Sequence, residues 1–276
     1  MTTTHPLDLA LQLQPVSPGQ STGQTSPGYW NMVGPFGGIT AATLVKAVME
    51  HPQRLGEPLS LTVNYAGALQ AGAFTLQATP VRTNRSTQHW TLSVLQTDAE
   101  GALVVTTTAT AVTAVRRETW SVSDEPMPEV AAPGELKRIP AGAGVGVEWL
   151  SRYELRPVRG ALPRDWDGSA NPSLSQLWMR DDPPRPLDFC ALAALADVFF
   201  PRVWLRRARR VPAGTVSITV YFHASQDQLQ TTGTGYVLGQ ARGQEFRNGF
   251  FDQTAQLWNE AGYLLATSHQ IVYFKE

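Results

Sequence analysis

The feature that most constrains the fold of this chain is a long irregular stretch that divides its 276 residues into two halves of similar size. Residues 119–146 contain four prolines and four glycines. Neither a helix interior nor a central strand tolerates that composition, because proline lacks an N–H and glycine adds backbone freedom. We therefore expect a linker at 119–146, between an N-terminal domain of residues 1–118 and a C-terminal domain of residues 147–276.

The two halves repeat the same order of segments. Each begins with a strand-like segment, continues through a proline-containing loop into an apolar helix, and then enters an extended strand. The segments are 7–13, 35–49 and 59–65 in the first half, and 147–155, 186–200 and 216–223 in the second. A run of further strands follows in both halves, which indicates an internal duplication.

The ends of the halves match most closely. In each, a strand enters an acidic turn closed by a glycine and returns as a second strand, which is typical of a β-hairpin. The closing glycines, Gly101 and Gly262, are 161 positions apart, whereas Tyr65 and Phe222 in the earlier strands are 157 apart. A drift of a few residues is expected when the loops of a duplicated unit diverge in length.

One central helix followed by an antiparallel meander, repeated twice, predicts a strand-rich α+β fold of the double hotdog type. This fold has two antiparallel sheets, each wrapped around one long central helix, fused in one chain. We expect the two sheets to pair edge to edge, which leaves no long edge open between the halves.

Composition argues against several classes of protein. The formal net charge is −1, so the chain lacks the basic face that nucleic-acid binding needs. No window approaches roughly 18 consecutive apolar residues, and the first residues lack the features of a signal peptide. The single cysteine, Cys190, excludes an intramolecular disulfide and fits a reducing cytoplasm. The familiar metal-ligand spacings do not occur, so neither a metal nor a redox cofactor is expected.

Four segments together resemble the type II acyl-CoA thioesterase family. They are Gly-Pro-Phe-Gly-Gly at 34–38, the apolar stretch 187–197, the strand 215–223, and Leu-Leu-Ala-Thr-Ser-His-Gln at 264–270. The resemblance implies an acyl-CoA substrate, which is hydrolysed to a free acid and coenzyme A. It also implies that Asp197, Thr215 and Gln270 hold and activate the attacking water, and that the protein is a homo-oligomer.

Asp197 is unusual in its own right. It is the only acid between Asp188 and Pro201, in a segment that is otherwise apolar. Burial and the C-terminal end of a helix both disfavour a carboxylate and raise its pKa, so a catalytic carboxyl is one interpretation. The alternative is an acid that turns back to solvent beside Arg202.

The other two candidates lie on strands. The Thr215 hydroxyl can hold a water, although threonine is common in strands, and Ser217 is expected on the same strand face as a substitute. Gln270 belongs to the polar run 267–270 between apolar strand ends. Its amide can orient a water, or it can simply bond to backbone as a structural group.

The first half lacks all three of these groups. At the offsets above, or by matching the helix prolines, the counterparts are Ala109 for Gln270, Pro58 for Thr215, and Lys46 or Val48 for Asp197. We therefore expect one active site per chain, with the first half as a wall of the pocket.

Gly37 and Gly38 open the first helix, where free N–H groups favour an anion. They are candidates to bind the substrate's oxyanion. An equally good interpretation is that the two glycines allow the helix to pack tightly.

Arginines that contact the phosphates of coenzyme A are predicted at three places. Arg206 belongs to the arginine-rich segment 202–210, while Arg85 and Arg247 occupy similar positions in the two halves. A solvated loop face is the more common role of such clusters.

Two other functions are consistent with the same fold. One is a non-catalytic protein that binds acyl groups or coenzyme A. The other is a hydratase, which ranks last because its Asp/His pair would need a histidine that the second helix lacks.

Overall fold

The chain folds into many strands and a few helices. The computed structural model describes residues 4–140, 147–163 and 166–276. The helices of these residues are α1 (Pro6–Ala10), α2 (Gly37–Glu50), α3 (Phe189–Leu195), α4 (Arg202–Arg207) and α5 (Gln226–Thr232). The strands are β1 (Gln14–Ser17), β2 (Gln20–Gln24), β3 (Glu57–Tyr65), β4 (Ala73–Thr83), β5 (Thr87–Thr97), β6 (Leu103–Ala114), β7 (Tyr153–Arg159), β8 (Ser175–Asp181), β9 (Ala213–Phe222), β10 (Val237–Arg242), β11 (Phe246–Arg247), β12 (Phe250–Asn259) and β13 (Leu264–Phe274).

These strands form one continuous antiparallel sheet. Its order is β1-β2-β4-β5-β6-β3-β9-β13-β12-β10-β8-β7, and β11 pairs with β12. The two halves meet where β3 pairs with β9. The edges therefore join as the sequence predicted, and the two expected sheets become a single one.

The junction of the halves reflects the duplication. Thr62 of β3 lies directly opposite Thr219 of β9, and their hydroxyl oxygens are 3.0 Å apart. The flanking pairs are Ser60 with Tyr221 and Asn64 with Ser217. Thr62 and Thr219 are 157 positions apart, which is the offset found in the sequence. An approximate twofold axis that relates the two halves therefore passes through this pair. Each half thus presents the same strand to the other.

Helix α2 is the long central helix of the first half and packs against α3. It is apolar on nearly all sides, so it is stable only when it is surrounded by protein, and its residues 38–45 are all buried. It ends at Glu50, because Pro52 disfavours a helical conformation at His51. Among the described residues, no helix is long and apolar enough to cross a membrane.

The second half lacks the long helix that the sequence predicted at 186–200. Asp188 caps α3 through its carboxylate, which accepts a 2.8 Å hydrogen bond from the Ala191 N–H, but the helix ends at Leu195. A tight turn and extended residues follow, and α4 begins after Pro201. Pro201 can neither donate to a helical bond nor allow a helical residue before it. The break leaves Asp197 on a turn rather than within a helix.

Both predicted opening strands are also wrong in part. Residues 6–10 form α1, because Pro6 suits the first helical turn and the His5 ring accepts a hydrogen bond from the Leu7 N–H. In the second half, a 3₁₀ turn at Glu148–Arg152 precedes β7.

The predicted linker is anchored to the second half. Glu125 and Ala131 accept hydrogen bonds on their carbonyl oxygens from the indoles of Trp258 and Trp178, at 3.2 and 2.9 Å. Met127 packs on the same tryptophans. The glycines at 142, 144 and 146 lie outside the described residues, and the division into domains at 118 and 147 stays a prediction.

Candidate active site

Asp197 lies in the interior at the end of α3, with only 8% of its surface exposed. Its Oδ1 accepts a 2.8 Å hydrogen bond from Nε2 of Gln270, and the backbone N–H of Gly38 also favours the ionised carboxylate. Burial raises its pKa to about 7, although Gln270 and the Gly38 backbone both act in the opposite direction. The alternative of a solvent-facing acid is therefore wrong.

Arg202 does not compensate Asp197. Its guanidinium is fully buried and donates to the carbonyl oxygens of Phe200 and Ser173 and to the hydroxyl of Ser175. These contacts tie the start of α4 to the sheet, so this arginine of the predicted cluster is structural.

Gln270 connects Asp197 with Thr215. The Thr215 hydroxyl donates to Oε1 of Gln270 at 3.3 Å, while Nε2 of the same amide donates to Asp197. Since the amide oxygen is fixed by a donor and its nitrogen by an acceptor, its orientation is determined. The three residues predicted from the resemblance lie together in one buried corner of the second half.

A β-bulge decides between Thr215 and Ser217. Val272 of β13 pairs with Thr215 and Ile271 pairs with Ser217, so Val216 is left without an opposite residue. The extra residue reverses the alternation and turns Thr215 to the inner face with Gln270. Ser217 lies on the other face. The expectation that the two residues share a face is wrong, because strand spacing alone does not reveal a bulge.

The first half reaches this corner through the start of α2. A Cβ atom at Gly37 would lie 2.7 Å from Oδ2 of Asp197, and one at Gly38 would lie 2.6 Å from the carbonyl oxygen of Ala194. Both distances are too short for a side chain, so the two glycines allow the close packing of α2 on α3. Binding of a substrate oxyanion by the N–H groups of Gly37 and Gly38 stays a prediction.

The structure adds Tyr65, which the sequence analysis did not select. Its hydroxyl donates to the carbonyl oxygen of Gly37 at 2.8 Å. Burial, together with the nearby Asp197 charge, raises the pKa of this phenol well above its usual value. A signal was available, because the repeat aligns Tyr65 with Phe222, a residue of the same shape without the hydroxyl.

The corresponding corner of the first half is apolar. Leu61 of β3 and Ile218 of β9 are equivalent residues at the offset of 157. Leu61 pairs with Ala111 and Ile218 pairs with Gln270, so the first-half counterpart of Gln270 is Ala111 and not Ala109. Phe36 and Asp188, which precede α2 and α3, are 152 positions apart. At this offset the first-half counterpart of Asp197 is Val45, and not the predicted Lys46 or Val48. A cavity of about 10 Å³ occupies this corner, and its lining includes Val45, Val48, Pro58, Ala111 and Phe222.

The three arginines are exposed, and they lie in different places. Arg247 precedes β12, at the end of the sheet where β9 begins near Thr215, and it contacts Glu245 at 3.1 Å. Arg206 lies on α4, which packs against β12, and it donates to the carbonyl of Asn171. Arg85 is in the turn between β4 and β5, at the end of the sheet where β3 begins. That end carries the apolar corner, so Arg85 is remote from Asp197.

Comparison with known proteins supports the fold and indicates the family. Family models of the acyl-CoA thioesterase N-terminal and C-terminal domains match residues 26–114 and 124–274. No significant match was found among curated proteins.

The chain is also similar to solved structures over nearly its whole length. A conserved protein of unknown function with a hot dog fold from Alicyclobacillus acidocaldarius is 47% identical, with 99% of each chain covered and a TM-score of 0.91. Two others share the fold at 16% identity. One is a tesB protein of Mycobacterium avium subs paratuberculosis, with a TM-score of 0.77 and 98% of each chain covered. The other is an acyl-CoA thioesterase II of Mycobacterium marinum, with a TM-score of 0.73 and 98% and 96% covered. The protein thus has a hot dog fold, and it belongs to the acyl-CoA thioesterase family.

Proposed function

We propose that this protein hydrolyses acyl-CoA thioesters with a water held by Asp197, Thr215 and Gln270. The observation that carries the proposal is the chain of hydrogen bonds from the Thr215 hydroxyl through the Gln270 amide to a buried carboxylate with a pKa of about 7. We also infer a double hotdog organisation, in which residues 1–118 and 147–276 are the two units and 119–146 connects them.

Asp197 is the general base in this proposal. Gln270 occupies Oδ1, whereas Oδ2 lies beside Gly37, where the start of α2 meets the end of α3. A base with a pKa near the operating pH combines a large ionised fraction with adequate basicity. The water gives one proton to Oδ2, and Thr215 retains lone pairs that accept its second proton in a hydrogen bond.

The reaction then begins with attack of this water on the thioester. As Asp197 removes its proton, the water oxygen bonds to the thioester carbonyl carbon and forms a tetrahedral oxyanion. When this collapses, the C–S bond breaks, the acid is released, and the proton on Asp197 passes to the departing thiolate of coenzyme A. The amide of Gln270 carries no net charge, so it orients Asp197 without competing for the proton.

The only cysteine does not offer a competing nucleophile. Cys190 is buried in α3, and burial raises the pKa of its thiol well above the usual value. A thiol in such surroundings stays protonated and inert at neutral pH.

Contacts with coenzyme A are proposed for Arg206 and Arg247. Both are exposed cations on elements that pack at the Thr215 end of the sheet, where a bidentate guanidinium suits the pyrophosphate. Arg85 is left out because it lies at the opposite end. We also propose that the protein is a homo-oligomer, which light scattering at micromolar concentration would test.

The experiment that tests the function combines turnover with binding. Release of the coenzyme A thiol is followed over a panel of acyl-CoA esters, while calorimetry measures the affinity for the same esters. Turnover of one or more esters supports hydrolysis. Binding without thiol release across the panel would reject it in favour of an acyl-CoA-binding protein.

A further inference from the structure

We propose that Ser268 is a positioning residue for the reaction, because its hydroxyl holds the peptide group that joins Ala196 to Asp197. The inference rests on the proposed role of Asp197 as general base and names a residue that this role requires. Ser268 lies on β13, two positions before Gln270 and on the same face of the sheet. One strand thus holds the base in two ways, by its backbone through Ser268 and by its side chain through Gln270.

The contact is a hydrogen bond in the interior of the protein. Ser268 is buried, and its Oγ donates to the carbonyl oxygen of Ala196 at 3.3 Å. The N–H of the same peptide group belongs to Asp197 and donates to the carbonyl oxygen of Ala194 at 3.1 Å. Because a peptide group is planar, hydrogen bonds at both of its ends fix its plane and the position of the Asp197 Cα atom.

The break after α3 explains why a side chain must make this bond. The helix ends at Leu195, so the last carbonyl groups have no further helical turn to supply N–H partners. Within the part of the chain that the structure describes, no backbone N–H bonds the Ala196 carbonyl. A buried carbonyl without a donor is costly. Ser268 therefore satisfies this group and anchors the turn on which Asp197 lies.

The first half shows the same backbone without the serine. Ser268 pairs with Val220, and the counterpart of this valine at the offset of 157, Val63, pairs with Ala109. At the offset of 152 between the helices, the residue that follows α3 corresponds to Leu44, which lies inside α2. A carbonyl at that position accepts a hydrogen bond from the next helical turn. The hydroxyl is therefore present where the helix is broken and absent where the helix continues.

The first test compares the kinetics of two variants with wild type. Ser268→Ala removes the hydroxyl, so kcat should fall by about 3–10-fold, the factor expected for one neutral hydrogen bond, while KM stays within about twofold of wild type. Ser268→Thr retains a hydroxyl and should recover most of the lost kcat. This recovery and the unchanged KM distinguish a positioning role from a general loss of structure.

The matched control is Ser173→Ala. Ser173 is also buried, and its hydroxyl donates to a backbone carbonyl, that of Gly243, at 2.9 Å. It precedes β8, which is three strands away from β13 in the sheet. The control removes the same kind of hydrogen bond far from Asp197 and should retain the wild-type kcat.

A double variant tests whether the loss passes through Asp197. Once Asp197→Asn has removed the base, Ser268 has no base to position, so adding Ser268→Ala should lower kcat no further. If the two losses multiplied instead, Ser268 would act on another part of the reaction, and the inference would be overturned.

Hydrogen exchange of the Asp197 amide separates this inference from the proposed function. This N–H belongs to the peptide group that Ser268 holds, so its exchange, followed by NMR, should be about 3–10-fold faster in Ser268→Ala and unchanged in Ser268→Thr and Ser173→Ala. Unchanged exchange in Ser268→Ala would overturn the inference, and so would faster exchange with a wild-type kcat. A protein that releases no thiol from any ester, but shows the faster exchange, would support the restraint by Ser268 and count against the proposed function alone.

Discussion

The two halves of the molecule bring equivalent positions together at two corners related by the Thr62–Thr219 pair, and only one corner is polar. Asp197, Thr215, Gln270 and Tyr65 lie at the first corner. Their counterparts at the other are Val45, Pro58, Ala111 and Phe222. The comparison shows that the paired strands of the duplicated backbone create both corners, whereas the side chains make one corner polar and the other apolar.

Even the irregular features of the backbone are shared. The bulge at Val216 in β9 has a counterpart at Leu59 in β3, and both bulged residues are 37% exposed. Each bulge turns the preceding residue inward, Thr215 in one half and Pro58 in the other. The apolar corner therefore serves as an internal reference for the polar one, with the same strand geometry and no chemistry.

The largest expected loss of activity comes from removing the carboxylate of Asp197, the group that the apolar corner lacks. Asp197→Asn preserves the shape but removes the basic oxygen, so kcat should fall by about 10²–10⁴-fold. The matched control is Asp181→Asn, since Asp181 is also buried with a pKa raised to about 7, but it lies at the end of β8. Steady-state thiol release measures both variants. Near wild-type kcat in Asp197→Asn would show that Asp197 is not the base.

A smaller loss is expected from a methyl group at Gly37. The Cβ atom of Gly37→Ala would lie 2.7 Å from Oδ2 of Asp197, so the carboxylate must move, and kcat should fall by roughly 10–100-fold. The corresponding first position of α3 is Phe189, which shows that only the polar corner requires glycine. Gly134→Ala is the control, because its Cβ meets nothing within 4 Å. Equal activity of the two variants would contradict a close approach of α2 to Asp197.

Exchanging the amide between the corners should have a still smaller effect on activity. Gln270→Ala removes one donor from Asp197 but leaves the base, and we expect a loss in kcat of about tenfold. Ala111→Gln should create no activity and should lower the melting temperature, because the amide enters an apolar cavity without partners. Kinetics and melting curves test the pair. If the double variant Asp197→Asn, Ala111→Gln hydrolysed acyl-CoA faster than Asp197→Asn alone, the apolar corner would be able to support the reaction, which would contradict the comparison.

The last effect is on stability and its dependence on pH, not on turnover. The pKa of Asp197 rises from about 3.8 to about 7 on folding, so the native state binds more protons between these values and stability falls as pH rises through this window. The penalty reaches roughly 4 kcal/mol above pH 7. Asp197→Asn should therefore melt higher than wild type at pH 8, with a smaller gain at pH 5. An equal gain at both values would show that Asp197 is not desolvated as described.

Several features of the site could be predicted from the sequence because they depend on which side chains occur at matched positions. The offset of 157 between the halves identified β3 and β9 as equivalent strands, and the structure shows that these two strands pair at the junction. An acid within an apolar segment indicated Asp197, and its absence from the first half indicated one site per chain. The same alignment also contained Tyr65 and Phe222, but nothing local marks a phenol that lies near a carboxylate of the other half.

Other features were decided by the tertiary structure, since they depend on which backbones pair. Strand spacing predicts alternation, but the bulge at Val216 arises from the register with β13, so only the folded sheet selects Thr215 over Ser217. The position of Arg85 follows likewise from antiparallel pairing, which sends equivalent turns to opposite ends of the sheet. The sequence by itself determined the repeat and its chemical asymmetry. The close approach of Gly37 to Asp197 required the two halves to meet, because a contact between residues so far apart in the sequence exists only when the fold brings them together.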